Sequence, residues 1–215
     1  MSSYREVFAL QHTWTLVLAS FPARLAYGMV GLGIFFKVQR ETNSVAFAGL
    51  ALGLNSIGGS LTAGYRGYLI DKYGQSWPLR VFVPSYAAMI LVVNMSESKT
   101  VLLVMATIMG VTAPPINLSV RPLWKSIVSG TQLRTAYAID TSMMNTAGVI
   151  GPVVATTLAL SSHPGSALAV ASALMFVGGT SMMMSQVSRN WKPEVKDKGQ
   201  QALWRDPALR LLMLE

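Results

Sequence analysis

The sequence predicts an all-α polytopic membrane protein with six transmembrane helices, and three observations carry that expectation. Only 12% of the 215 residues are charged and 52% are hydrophobic, whereas about a quarter of the residues in an average soluble domain are charged. The apolar residues gather into six continuous runs, each near the roughly 20 residues a helix needs to cross about 30 Å of hydrocarbon. The basic residues collect on alternate connections, the pattern expected when positive charge holds loops on the cytoplasmic side.

The first run, about residues 13 to 36, reads TWTLVLASFPARLAYGMVGLGIFF and is interrupted by a single charge, Arg24. The second, Ser44 to Tyr65, carries no charge. The third covers about Leu79 to Met95 and the fourth Thr100 to Val120. A fifth runs from about Ala136 to Leu160, with Asp140 near its start, and a sixth lies between Ser166 and Val187. Lipid offers no partner to backbone N–H and C=O groups, so spanning segments are helices or closed barrels, and barrel strands read as alternating segments of about ten residues. These runs do not alternate. Turn signals separate them, as in RETNS, YGQSWP, SESK and SSHPGS.

With the N-terminus in the cytoplasm, thirteen basic residues fall on that side: Arg5, Arg66, Lys72, Arg80, Arg121, Lys125, Arg134, Arg189, Lys192, Lys196, Lys198, Arg205 and Arg210. Only Lys37, Arg40 and Lys99 fall on the other. One miscounted helix would carry every later loop across, so the split checks the count. Both termini are expected in the cytoplasm of a multi-pass protein of the plasma membrane. The same distribution explains the net charge of +8 by topology and argues against a nucleic-acid partner, which needs its charge on one face.

Catalytic chemistry finds little support. There is no cysteine, which excludes disulfides and thiolate ligands. His12 and His163 lie toward opposite membrane faces, and no phosphate loop or nucleophile–base arrangement occurs. No metal, no cofactor and no enzymatic activity are expected. The thirteen methionines read as lipid-facing or gap-filling side chains.

Charges inside the spans are more informative. Arg24 lies about halfway along the first run, where an ionised side chain costs several kcal/mol unless it faces protein or a wet cavity. A role in a polar cavity is the expectation. Asp140 reads either as a carboxylate near a helix start, favoured by the dipole or paired with Arg121 or Arg134, or as a protonatable coupling site. Asn55 and Asn145 supply hydrogen bonds, either to a solute or between helices. Small residues four apart, Gly49 and Gly53, then Gly59, Ala63 and Gly67, predict close packing along much of the second span.

The end of that span carries a resemblance. Gly67, Leu69, Asp71, Lys72 and Gly74 resemble the signature joining the second and third helices of the major facilitator superfamily, Gly-x-Leu-x-Asp-Arg/Lys-x-Gly-Arg-Arg/Lys. Gln75 and Ser76 stand where the family has a basic pair. A second stretch, GVIGPVVA with Gly148, Gly151 and Pro152, resembles a reduced form of the Gly-Pro motif of the family's antiporters. RPLWKSIV and RTAYAIDT are similar to segments of actinobacterial exporters of the family. The resemblance covers nearly the whole chain.

It implies one half of a twelve-helix fold, built from two inverted three-helix repeats. Residues 1–188 would form the N-terminal six-helix half, and 189–215 the cytoplasmic central loop with the start of a seventh helix in ALWRDPALRLLMLE. The implied partners are the bilayer, a small-molecule substrate, a proton and the absent C-terminal half. The implied activity is secondary transport by alternating access, in the direction of proton-coupled efflux, with Asp71 in a conformational-switch loop. A non-transporting membrane scaffold or assembly partner is the competing expectation.

Overall fold

The computed structural model describes residues 4–163 and 165–192, and all regular structure among them is helical. A short helix, α1 (Tyr4–Phe8), leads into α2 (Gln11–Thr42), followed by α3 (Val45–Tyr73), α4 (Ser76–Met95), α5 (Lys99–Val111), α6 (Ile116–Ile127), α7 (Thr131–Ala159), α8 (Ser166–Met184) and α9 (Gln186–Asn190). The proposed start of a seventh span and most of the central loop lie outside the described residues.

Local chemistry sets the ends. Asn43 adopts φ 52° and ends α2, and the Ser44 hydroxyl accepts from the Phe47 amide at 3.2 Å to begin α3. Gly74, at φ 76°, ends α3 with its amide on the Ile70 carbonyl at 2.9 Å. Nothing breaks α3 at Tyr65, so it runs two turns beyond the expected span. This corrects the placement of Arg66, which lies buried within the bundle rather than in a cytoplasmic loop. The fourth run divides: Pro114 and Pro115 interrupt the helical ladder between α5 and α6 because proline lacks an N–H and clashes with the preceding turn.

Five segments are long and apolar enough to cross a membrane: α2, α3, α4, the α5–α6 pair taken as Lys99–Ile127, and α8. With 29 residues α7 equals α3 in length, but Asp140, Thr141, Ser142, Asn145 and Thr146 make it more polar, and it is not among the five.

Paired close approaches give the helix directions. Arg24 meets Asp140 and Gly28 meets Gly151, so α2 and α7 run the same way. Asn55 meets Ala106 and Arg66 meets Ala113, so α3 and α5 also run together. By contrast, Ala23 meets Gly178 and Gly33 meets Leu168, which sets α2 against α8. Val83 against Gly179 and Asn94 against Gly165 set α4 against α8 in the same sense.

The first span, α2, is the centre of the bundle and packs on α7, α8 and α3. The second does not pack closely along its length: only 17% of the most apolar stretch of α3 is buried. Gly49, Gly53 and Gly64 face open space, and α3 instead packs on α5 through Asn55, Gly58, Thr62 and Arg66. The small residues that predicted tight packing lie largely off that face.

Candidate functional site

Two of the buried charges meet across the bundle. Arg24 on α2 and Asp140 on α7 are each 3% exposed. The Arg24 Nη2 donates to Asp140 Oδ1 at 2.6 Å, and Nη1 donates to the Asp140 main-chain carbonyl at 3.2 Å. Helix α6 closes the site: the Trp124 indole donates to the same Oδ1 at 3.3 Å, and Arg121 Nε lies 3.7 Å from Oδ2. Trp124 is fully buried, whereas the Arg121 side chain is 62% exposed. Two cations therefore face one carboxylate, and an aromatic donor fixes its orientation. At about 1.5 Å per residue, Arg24 stands roughly 20 Å from the start of α2 and Asp140 roughly 14 Å from that of α7, well inside both helices.

Glycines let the two helices come close enough for this pair. A Cβ on Gly28 would lie 2.5 Å from the Ala147 carbonyl oxygen, and one on Gly151 would lie 2.7 Å from the Gly28 backbone. Backbone contact of this kind is what small residues permit in lipid. On the other flank, a Cβ on Gly178 of α8 would collide with the Ala23 amide, one residue before Arg24.

A second polar feature fills the break in the fourth span. Side chains take up carbonyls at the break: Thr62 of α3 donates its hydroxyl at 3.0 Å to the Val111 carbonyl, which Pro115 leaves free, Tyr27 of α2 donates its hydroxyl to the Pro114 carbonyl, and Arg66 of α3 donates Nη1 to the Ala113 carbonyl. Arg66 also reaches back along its own helix, with Nη2 on the Gly59 carbonyl at 2.5 Å and Nε on that of Thr62 at 3.4 Å. Beside these bonds lies a cavity of about 280 Å³ lined by Tyr27, Arg66 and residues 113–118.

The remaining sequence candidates scatter. Asn55 donates to the Ala106 carbonyl at 2.8 Å and so joins α3 to α5, while Asn145 is exposed on α7. Arg134 is exposed and makes no ion pair among the described residues. Gly151 is buried at the α2 crossing, whereas Gly148 meets nothing, and Pro152 sits within α7. The expected switch loop is largely helical, because α3 continues through Gly67, Asp71 and Lys72 to Tyr73; Asp71 is exposed on its last turn and the Lys72 ammonium lies over the Tyr73 and Tyr68 rings at 4.9 and 5.7 Å. A Cβ on Gly67 would touch only Leu118, at an ordinary 4.0 Å. Gln75, which replaces a basic residue of the signature, is buried and donates to the Ser119 carbonyl at 2.9 Å, tying the loop to α6.

Sequence reading missed Tyr27, Arg66, Gln75 and Trp124. Only Pro114 and Pro115 hinted at Tyr27 and Arg66, since a helix broken inside a membrane leaves carbonyls that need donors. Among the described residues no group of three or more His, Asp or Glu side chains gathers to hold a metal.

A family profile described as Major Facilitator Superfamily matches residues 16–214. Among curated proteins, an uncharacterized MFS-type transporter of Sinorhizobium fredii is 24% identical over 192 residues, covering 87% of this chain and 47% of that protein. The chain spans about half the length of the curated relative it matches. No solved structure matches.

Proposed function

The chain belongs to the Major Facilitator Superfamily, a family of membrane transporters and not of enzymes, and from that premise we propose that it acts in secondary transport of a small solute by alternating access, exporting it against proton entry. The observation that carries the reading is the Arg24–Asp140 pair. Ionisable groups inside spans are costly and mark solute or proton pathways, and this pair joins two helices with a carboxylate that one proton would neutralise. Protonating Asp140 would remove the attraction to Arg24, and an ion pair that opens and closes in this way couples proton binding to the α2–α7 contact.

The helix directions support six spans, an even number that returns both termini to one side of the membrane, and the split of basic residues in the sequence supports the cytoplasm of a cell as that side. Helices α2 and α7 run together and α8 runs against α2, so α7 traverses the same thickness although its composition is polar. Spans one and five pack in parallel through Gly28 and Gly151, and spans four and two pack in parallel through Gly110 and Asn55. An inverted three-helix repeat exchanges one pair for the other, because it relates span one to four and five to two. The exposed apolar faces of α3, with Ile57 and Leu61, and of α7, with Val149 and Val153, suit docking of a second six-helix half.

The test is solute-dependent proton movement. The gene product carrying this chain is reconstituted in liposomes loaded with a pH-sensitive dye and presented with a panel of toxic compounds that it protects cells against. Asp140→Asn is expected to abolish proton movement while leaving solute exchange, and Arg24→Ala to abolish both. Proton flux unchanged in both variants would remove the pair from the mechanism.

A further inference from the structure

Arg66 is the second arginine buried in the bundle and differs from Arg24 in one respect. Both are nearly inaccessible, Arg24 at 3% and Arg66 at 8% exposure. Arg24 faces Asp140, whereas Arg66 makes no ion pair among the described residues and bonds only to carbonyls. Three bonds use three of the five guanidinium N–H groups. Carbonyl dipoles satisfy donors but supply no net negative charge, and a buried cation without a counter-anion is expensive in a medium of low dielectric.

The surroundings are those of a ligand site. Arg66 lines the 280 Å³ cavity with the Tyr27 ring, Pro114, Pro115, the exposed Asn117 amide and the exposed Leu118 side chain. Apolar and aromatic walls around one charge and one amide form a common pattern for small-molecule pockets, and the volume lies near the lower end of their range. The break in the fourth span holds the walls apart. Tyr27 belongs to the first span and Arg66 to the second, so three spans converge on the cavity.

We infer that this cavity binds an organic monoanion with an apolar or aromatic body, its negative group completing the charge of Arg66 and its body lying against Tyr27, Pro115 and Leu118. The inference rests on the transport reading, since it names the class of solute carried. It places the recognition charge at Arg66, apart from the Arg24–Asp140 pair. Solute and proton then have separate sites, both reaching α2, one through Tyr27 and the other through Arg24.

Benzoate is the probe, with benzamide as its neutral and benzylamine as its cationic analogue, titrated calorimetrically into the chain in zwitterionic lipid nanodiscs. Benzoate is expected to bind at least about tenfold more tightly than either analogue, the loss expected when a charged hydrogen bond is removed. Arg66→Gln should weaken it by a similar factor. Because Arg66 also braces the break, two variants that leave its carbonyl bonds intact provide the decisive reading. Asn117→Asp supplies the absent negative charge and Leu118→Trp fills the cavity; each should weaken benzoate about tenfold or more, while Lys99→Gln, on an exposed helix end, should leave it unchanged. Benzoate binding no tighter than benzamide, or unaffected by Asn117→Asp, would overturn the inference. Anionic-lipid nanodiscs that displace benzoate tenfold would instead assign the site to a lipid headgroup and overturn the solute assignment. Binding is read without transport: benzoate recognition that survives while proton flux fails sinks the transport reading alone, and flux that persists without benzoate recognition sinks this site alone.

Discussion

Removing one partner of the buried charge pair should have unequal consequences. Asp140→Leu leaves Arg24 inside the bundle with one backbone bond, from Nη1 to the carbonyl of residue 140, and its Nε already lacks a partner. An uncompensated buried charge of this kind costs about 3–5 kcal/mol. Arg24→Leu leaves Asp140 better provided, because the Trp124 indole remains on Oδ1 and Arg121 stands 3.7 Å from Oδ2 with an exposed stem free to move closer. That loss should be smaller, about 1–3 kcal/mol. The double variant removes both charges and should cost less than the sum of the two, by a coupling of about 2 kcal/mol. Reversible unfolding in mixed detergent micelles, followed by tryptophan fluorescence, measures all four corners of the cycle. Additivity within about 0.5 kcal/mol, or a larger loss for Arg24→Leu than for Asp140→Leu, would refute the reasoning.

The glycines sort into two classes by the same logic. Gly110→Ala would drive its Cβ into the Asn55 carbonyl, and Gly151→Ala into the Gly28 backbone, so each should lower the melting temperature of the purified protein by about 5 °C or more. Gly64→Ala and Gly148→Ala, which meet nothing within 4 Å, should change it by less than about 2 °C. Gln75→Leu removes the donor to the buried Ser119 carbonyl and should cost about 1 kcal/mol, read in the same unfolding titration. An unchanged midpoint would detach that loop from α6.

The helical class was legible because bilayer-spanning runs leave a direct trace in composition, and Arg24 and Asp140 stood out because charge inside such runs is rare. Their meeting was not legible. The two residues are 116 positions apart, and only the crossing at Gly28 and Gly151 brings them together. Asp140 was read equally well as a partner of Arg134, which is exposed, or of Arg121, which lies near it. The second span misled for a related reason: spacing identifies glycines on one helix face but not whether a neighbour occupies that face. Gly49 and Gly53 have the spacing of a packed stripe and meet nothing, whereas Gly58 and Gly110 make the contact. Arg66 was not legible because the apolar run ends at Tyr65, whereas the helix continues and the guanidinium finds carbonyls inside the bundle.

All of this depends on the helices crossing a bilayer alternately, and cysteine labelling tests that most directly. The chain has no cysteine of its own, so a single one placed at exposed Lys72, before α4, or at exposed Glu97, after it, gives an unambiguous signal. In sealed inside-out vesicles an impermeant maleimide is expected to label Lys72→Cys and to leave Glu97→Cys unlabelled until detergent is added. Equal labelling of both from one face would contradict the account.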